Sequence, residues 1–479
     1  MNDDASLNLL TQPVGSLVRR ASVVASPSDS IHQVAQLMRQ EKVSSVMLLE
    51  GDRIAGIVTD RDLRNRVLAN AMPVDRPVLE VATTQPMTID AQAPVFQGLL
   101  MISRHRIHHL PVVQDGKLLG VITATSLTEQ YNVSPVFIAG QIHEQSTLDG
   151  LKKQTARVPQ LLVSMSKSNA SAYGIGHIIT GITDAVTIRL LEMAEAELGP
   201  PPVPYLWVAA GSQARQEQTA KSDQDNCMIL SDDYNPDEHG AYFKALAEKV
   251  CAGLDACGYV YCPGDMMAQT DKWRQPLSKW KQYFRKWIGE PEPMALMLSC
   301  VFFDLRGIHG QQSMLDELKA YMLDLSKGNA IFLAHMVKNA LSHRPPLGWM
   351  GGIKVNRGGD NPKTVDLKHN GIVPIVDMAR VYALSTSLPV ANTRDRLDHV
   401  TEGQTISLEA ARDLRDALDF ISDIRVRHQA RQIEAKQKPD NFLSLRELSN
   451  FERAHLQSAY HIVKSLQETL SNRYQADRI

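Results

Sequence analysis

Cysteine is scarce and unpatterned in this 479-residue chain. Cys227, Cys251, Cys257, Cys262 and Cys300 make an odd total of five, and no two are separated by just two residues. That spacing argues against a structural zinc site or a disulfide frame and points to reduced thiols in a cytoplasmic compartment. Net charge is almost absent. Lys+Arg total 51 and Asp+Glu 53, a formal charge of -2, without the basic surplus that a nucleic-acid binder carries. The longest apolar run, about ten residues near Met294–Phe303, falls short of the roughly 20 that span a bilayer, so no membrane insertion is expected. The N-terminus MNDDASLNLL lacks the basic start and apolar core of a signal peptide. What is present is ordinary globular material, 43% hydrophobic, with length for roughly three domains.

The chain repeats itself. VSSVMLLEGDRIAGIVTDRDL (Val43–Leu63) aligns without gaps on IHHLPVVQDGKLLGVITATSL (Ile107–Leu127). Each copy reads as a strand, a Gly/Asp turn, a second strand ending in Gly, two apolar residues and Thr, and then a helix. Amphipathic helices are expected upstream, over Ile31–Arg39 and Val95–Ser103. His105, His108 and His109 resemble a metal cluster but fall at a helix-to-strand junction, where satisfied or solvent-facing rings are expected.

A second landmark is PYLWVAAGSQARQEQTAKSDQDNCMIL (Pro204–Leu230). YLWVAA suits a buried strand. Gly211 allows a sharp turn and close backbone approach. Ser212 is expected to cap a helix over QARQEQ, whose N–H groups would attract phosphate. Asp223 and Asp225, one residue apart on extended chain, put two carboxylates on one side, which suits Mg²⁺ carrying a nucleoside triphosphate. LSCVFFDL (Leu298–Leu305) is expected to be a strand interrupted by Asp304. Burying that carboxylate requires a partner. A shared metal and an ion pair with Arg306 or another cation both remain open.

These features carry two resemblances. Residues from about Gly15 to Gln130 resemble a tandem CBS pair, a family whose copies form a β-α-β-β-α pseudo-dimer and often bind adenine nucleotides or adenosyl ligands between them. The family's ribose/phosphate signature is intact in copy one as Gly56, Thr59 and Asp62. Copy two keeps Gly120 and Thr123 but has Ser126 in place of the acid, which weakens the second site. A purely structural or oligomerisation role for the pair stays open.

Gly211-Ser212 followed by Asp223-x-Asp225 resembles the DNA polymerase β-type nucleotidyltransferases. The longer run GSQARQEQTAKSDQDN is similar to the nucleotidyltransferase domain found with CBS pairs in bacterial signal-transduction proteins, a relative of the PII uridylyltransferase. YCPGD (Tyr261–Asp265), Trp273-Leu277-Trp280, the FFD strand, Pro345–Gly348, Gly351-Gly352, DLKHNGIVPIVDMARVYAL (Asp366–Leu384), Arg427-His428-Gln429 and Pro439-Asp440-Asn441 fit the same family.

The resemblance implies an α/β plus all-α chain: a tandem CBS pair, a polymerase β-like mixed sheet with helices, and a C-terminal helical bundle. The expected boundaries are 15–75 and 80–133 for the CBS copies, 134–200 for a helical connector, 201–330 for the nucleotidyltransferase domain and 341–479 for a helical substrate-binding domain. It further implies transfer of a nucleoside monophosphate from a triphosphate to a protein or small-molecule acceptor. Asp223, Asp225 and Asp304 would hold Mg²⁺ or Mn²⁺, with Asp304 as general base. Gly211, Ser212, Arg215 and Lys221 would hold the triphosphate, with Glu217 as a structural partner of Arg215. An adenine nucleotide on Gly56, Thr59, Asp62 and Thr123 would regulate a cytoplasmic homodimer joined through the CBS pair. The alternative is a catalytically silent nucleotide sensor. In the C-terminal part Asp366, Lys368, Arg427, His428 and Asn441 are candidates for base or acceptor contacts, with capping and ion pairing as the competing role. Ser407 and the pair Ser444/Glu447 are expected to cap long helices.

Overall fold

The computed structural model describes residues 12–18, 22–105, 107–123, 134–220, 222–291, 300–349, 351–356, 358, 361–400 and 406–476. Lys221 and Ser126 lie outside the described residues. The chain divides into two compact units, Met1–His143 and Glu144–Ile479.

In the first unit each repeat forms the expected helix and hairpin: α1 (Ile31–Glu41), β1 (Ser45–Glu50) and β2 (Arg53–Thr59) in one copy, α2 (Val95–His105), β3 (His109–Gln114) and β4 (Lys117–Thr123) in the other. Gly51 at φ +62° and the Asp115-Gly116 pair at +50° and +77° make the two hairpin turns. These left-handed values match the twist of two-residue hairpins and explain the Gly/Asp composition. Short parallel strands at Val24–Ala25 and Ile89–Asp90 extend the two sheets alongside β1 and β3. Ile31, Val34 and Met38 of α1 pack on Val46, Leu48 and Val58.

The second unit is built on a four-stranded sheet. Its strands are β5 (Tyr205–Ala210), β7 (Asn226–Leu230), β9 (Arg274–Pro276) and β10 (Leu305–Gly310), in the order β9-β7-β5-β10. A second, two-stranded pairing joins β6 (Asp223–Gln224) to β8 (Val260–Tyr261). Every residue of β5 and β7 is buried, as expected of strands covered on both faces. The helix α7 (Leu277–Gly289) closes one face with an aromatic cluster: Trp280 and Phe284 have no exposure, and Trp273 lies 4.4 Å from Phe302. Trp280 Nε1 donates to the Met228 carbonyl of β7 at 3.0 Å, so the tryptophan motif clamps the strand that follows the two aspartates.

Helix α4 (Ala172–Leu198) is long and apolar enough to cross a membrane by length and composition, a span that a search for unbroken apolar runs misses. In this fold 78% of its most apolar window is buried within the protein, and it packs on α6 (Pro236–Ala256). The C-terminal part adds α10 (Val373–Ser385), α11 (Thr393–Asp398), α12 (Leu408–Glu434) and α13 (Asn450–Tyr474). Ser407 caps α12 as expected, accepting from Ala410 N. The Ser444/Glu447 box forms but governs only the single turn Leu445–Glu447; α13 has its own box in Ser449 and Glu452.

Two local expectations are corrected. The QARQEQ helix is one turn, Gly211–Ala214, with Ala210 rather than Ser212 at its N-cap. The stretch Leu298–Leu305, expected to be a strand, is not one: residues 300–302 are helical and the strand begins only at Leu305, running to Gly310, so Asp304 stands at the strand entrance rather than inside it.

Candidate functional site

The two aspartates owe their geometry to the residues between and after them. Gln224 and Asn226 are buried. Gln224 Nε2 donates to the carbonyls of Cys251 (2.9 Å) and Tyr259 (3.0 Å), and Asn226 Oδ1 accepts from Ala268 N at 2.8 Å. With these amides held inward, strand alternation turns Asp223 and Asp225 to the opposite side. Gly211 completes the arrangement. Its φ is +56°, and a β-carbon there would lie 2.7 Å from Asp225 Oδ2. Only glycine lets that carboxylate come so close to the backbone.

Cys262 of the YCPGD segment joins them: ligand atoms of Asp223, Asp225 and Cys262 all lie within 4.8 Å of one another. Burial, helped by the Asp223 charge, raises the Asp225 pKa to about 6, against the opposing pull of the Cys262 thiol, Lys368 and Arg215. Burial and the neighbouring Asp225 push the Cys262 thiol up to about 12. It is therefore a protonated donor at neutral pH, and the site is that of two hard carboxylates. Two crowded carboxylates, with the Asp225 pKa raised by burial and by the Asp223 charge, fit an oxygen-seeking divalent cation such as Mg²⁺ or Mn²⁺.

Asp304 does not join this group. It is fully buried, and its two oxygens accept from Arg215 Nη1 (2.8 Å), Arg380 Nη2 (2.6 Å), Arg380 Nε (3.3 Å) and Arg396 Nη2 (2.6 Å). Although burial alone would raise its pKa, the three guanidiniums hold its carboxyl far below the ordinary range. A carboxylate so stabilised has neither a lone pair to spare for a metal nor the basicity of a general base, so both expectations are withdrawn. Nor is Arg306 its partner: that guanidinium grips Asp184 at 2.8 and 3.0 Å. Arg215 is likewise committed, to Asp304 and to Glu217 at 2.7 Å. Glu217 is the structural partner expected and also caps α11, accepting from Thr393 N at 2.9 Å. Asn392 Nδ2 donates to the Arg215 carbonyl at 2.7 Å. The polar segment after Gly211-Ser212 thus docks the C-terminal helices.

Those helices roof a cleft of about 850 Å³, its open mouth included, floored by Ser212, Thr219, Ser222 and Asp223. Of the C-terminal candidates only Lys368 reaches it. Asp366 is bound by His369 (2.8 Å), Arg427 by Glu452 (2.8 Å), His428 by Glu447 and Asp440 (3.1 and 3.2 Å), and Asn441 by Arg425 and Gln429 (2.7 and 3.1 Å). Arg425 and Asp419 of α12 also line the cleft. Sequence reading passes over both, because neither belongs to a motif and their position is set by how α12 packs.

In the first unit Thr59, Asp62 and Thr123 line one cleft together with Arg61, Arg64, His108 and His109. Gly56 lies behind them, where a β-carbon would come within 3.0 Å of the Thr83 carbonyl. Thr59 and Asp62 form a reciprocal cap: Thr59 N and Oγ1 donate to Asp62 Oδ2 at 3.0 and 2.7 Å, and Asp62 N donates to Thr59 Oγ1 at 3.2 Å. His108 contacts Arg61 (2.7 Å) and His109 contacts Ser44 (2.8 Å). Each ring is satisfied, and the two belong to no metal-ligating group among the described residues.

Known proteins match this organisation. Family profiles match "CBS domain" at residues 14–69 and 78–132, "Putative nucleotidyltransferase DUF294" at 156–294, and "Putative nucleotidyltransferase substrate binding domain" at 330–474. The chain is 31% identical over 108 residues to YlbB of Bacillus subtilis, covering 22% of this chain and 73% of that protein. It is 30% identical over 129 residues to MK0525 of Methanopyrus kandleri, covering 26% and 64%. Among solved structures it is similar to the CBS domain protein PAE2072 of Pyrobaculum aerophilum, crystallised with AMP (26% identity, TM-score 0.23, 24% of this chain and 88% of that one). A CBS pair, a nucleotidyltransferase-family domain and its dedicated helical partner in one chain place this protein in the family of CBS-domain proteins with a nucleotidyltransferase domain and a C-terminal substrate-binding domain.

Proposed function

We propose that the second unit transfers a nucleoside monophosphate from a nucleoside triphosphate to an acceptor and releases pyrophosphate. The observation that carries this reading is the pair Asp223 and Asp225 beside Gly211, with Asp223 on the floor of a roofed cleft and the Asp225 pKa raised to about 6 by burial and the Asp223 charge. Asp223 and Asp225 would hold Mg²⁺ or Mn²⁺. The bound cation would screen the triphosphate and stabilise the departing pyrophosphate. Gly211 and Ser212 form the turn over which the phosphates lie, and the roof helices exclude water from the transfer. The acceptor is a protein or small-molecule nucleophile.

The CBS cleft is proposed to bind an adenine nucleotide. Asp62 Oδ1, whose nearest cation is Arg66 at 3.4 Å, offers an oxygen to ribose hydroxyls, and Arg61 and Arg64 line the cleft where phosphate would lie. Regulation of the transferase by this ligand, a homodimer through the CBS pair and a cytoplasmic location complete the proposal. The location is supported by five unpaired cysteines.

The test is a nucleotide panel with Mg²⁺ or Mn²⁺, read as binding and as pyrophosphate release coupled to labelling of a cellular acceptor. Asp223→Ala and Asp225→Ala should abolish labelling while the protein stays folded; normal labelling by both rejects the site. A second reading, a nucleotide sensor without turnover, is favoured by the withdrawal of Asp304, which leaves two carboxylates where three were expected. Coupled pyrophosphate release excludes it.

A further inference from the structure

Two cations in the cleft have no acidic partner among the described residues. Among the described residues, the Lys368 ammonium makes no hydrogen bond or ion pair, and the Arg425 guanidinium makes one hydrogen bond, from Nε to Asn441 Oδ1 at 2.7 Å. Arg425 is only 8% exposed. Burying an unpaired guanidinium is costly, and burial drags its pKa down to about 10. The Asn441 contact, itself braced by Gln429 at 3.1 Å, fixes the plane of the group and leaves both terminal nitrogens for a ligand. The other cleft arginines are already committed: Arg215 to Glu217 and Asp304, Arg394 to Asp398 and Asp419. Lys368 and Arg425 both feel the charge of Asp223, so all three bear on the same part of the cleft.

We propose that Lys368 and Arg425 clamp the polyphosphate of a metal-bound nucleoside triphosphate over Asp223, the role that the sequence assigns to Arg215 and Lys221. A pinned guanidinium presenting two N–H directions suits bidentate contact with phosphate, and a lysine beside it supplies a mobile point charge. A triphosphate carrying one divalent cation remains an anion, and these two side chains are the unspent positive charge it would meet. Lys368 precedes α10 and Arg425 lies within α12, whereas Asp223 lies on β6 and Asp225 between β6 and β7. The ligand would therefore hold the helical roof to the catalytic floor. This inference rests on the transferase reading and adds the side chains that recognise the substrate's phosphates.

The experiment uses the full chain with Mn²⁺. It measures binding of inorganic tripolyphosphate and of the four nucleoside triphosphates, and takes the part lost in Asp223→Asn as the cleft signal. Arg425→Gln and Lys368→Gln should each weaken that signal on the order of tenfold to a hundredfold, as expected for a hydrogen bond between charged groups. Arg425→Lys should recover part of it, and Mn²⁺ affinity should stay within about twofold. If Arg425→Gln fails to fold, the partly exposed Lys368 carries the test. Wild-type binding of tripolyphosphate as well as nucleotide locates recognition in the phosphates. Wild-type-like binding by both variants, with the Asp223→Asn loss intact, overturns the clamp and leaves the transferase reading standing. Absence of any cleft signal in the wild type overturns both.

Discussion

Replacing Asp304 by asparagine should be one of the most damaging single changes in the second unit. The side chain has no exposure and receives hydrogen bonds from Arg215, Arg380 and Arg396. Asparagine keeps the volume but removes the charge that compensates three guanidiniums, and its amide points a donor at one of them. Losing one partner of a buried pair costs about 3–5 kcal/mol. Three partners place the expected loss at the upper end, with the remaining acids, Glu217 and Asp377, covering only Arg215 and Arg380. Urea unfolding followed by tryptophan fluorescence reads this directly, because Trp273, Trp280 and Trp287 belong to the same unit. The pH dependence has a definite sign. A carboxyl whose folded pKa lies below its unfolded value, about 4, contributes stability that is complete above that value and is lost as the pH falls toward the folded one. The gap between wild type and Asp304→Asn should therefore be constant from pH 5 to 8 and narrow only below about pH 4. A variant destabilised by less than about 1 kcal/mol that nonetheless loses Mn²⁺ binding would refute the reasoning and return Asp304 to the metal site.

Asp225→Asn should behave oppositely in the metal-free protein. A carboxyl whose folded pKa is raised to about 6 destabilises the fold as the pH rises from about 4 through 6, so the variant should gain ~1–3 kcal/mol at pH 7 and nothing at pH 4. Added Mn²⁺ should stabilise wild type but not the variant in thermal melts. Gly211→Ala forces an alanine into left-handed backbone at a cost of about 1–2 kcal/mol and drives its β-carbon against Asp225 Oδ2; loss of Mn²⁺ binding in excess of the stability loss is the expected result by calorimetry. Asp62→Asn keeps one oxygen for the Thr59 cap but loses the bidentate acceptor. First-unit stability should change by about 1 kcal/mol or less, while AMP affinity by titration calorimetry should fall at least about tenfold.

Local signals were legible where chemistry is local. The repeat, its hairpin turns, the helix at Ser407, the glycine at position 211 and the one-sided placement of Asp223 and Asp225 each follow from residues within a few positions of one another. The Asp304 error has a clear cause: a carboxylate beside apolar residues announces that it needs a partner, but the partners Arg380 and Arg396 lie 76 and 92 positions away. Lys368 stood among five polar candidates that only packing could separate. Arg425 carries no motif, and its significance is the absence of an ion pair, which is a property of surroundings.

The amino-acid sequence by itself determined the domain order, the two duplicated hairpins and the metal-capable pair, because turn sterics, strand periodicity and side-chain chemistry act over short stretches. Tertiary structure decided which charges are spent and which are free. It buried Asp304 among three guanidiniums, assigned Glu217 to docking α11, brought Cys262 to the aspartates as a protonated donor, and left Lys368 and Arg425 facing the cleft. Ion pairing in a folded protein depends on distance and dielectric, and both are set by contacts between residues far apart in the chain.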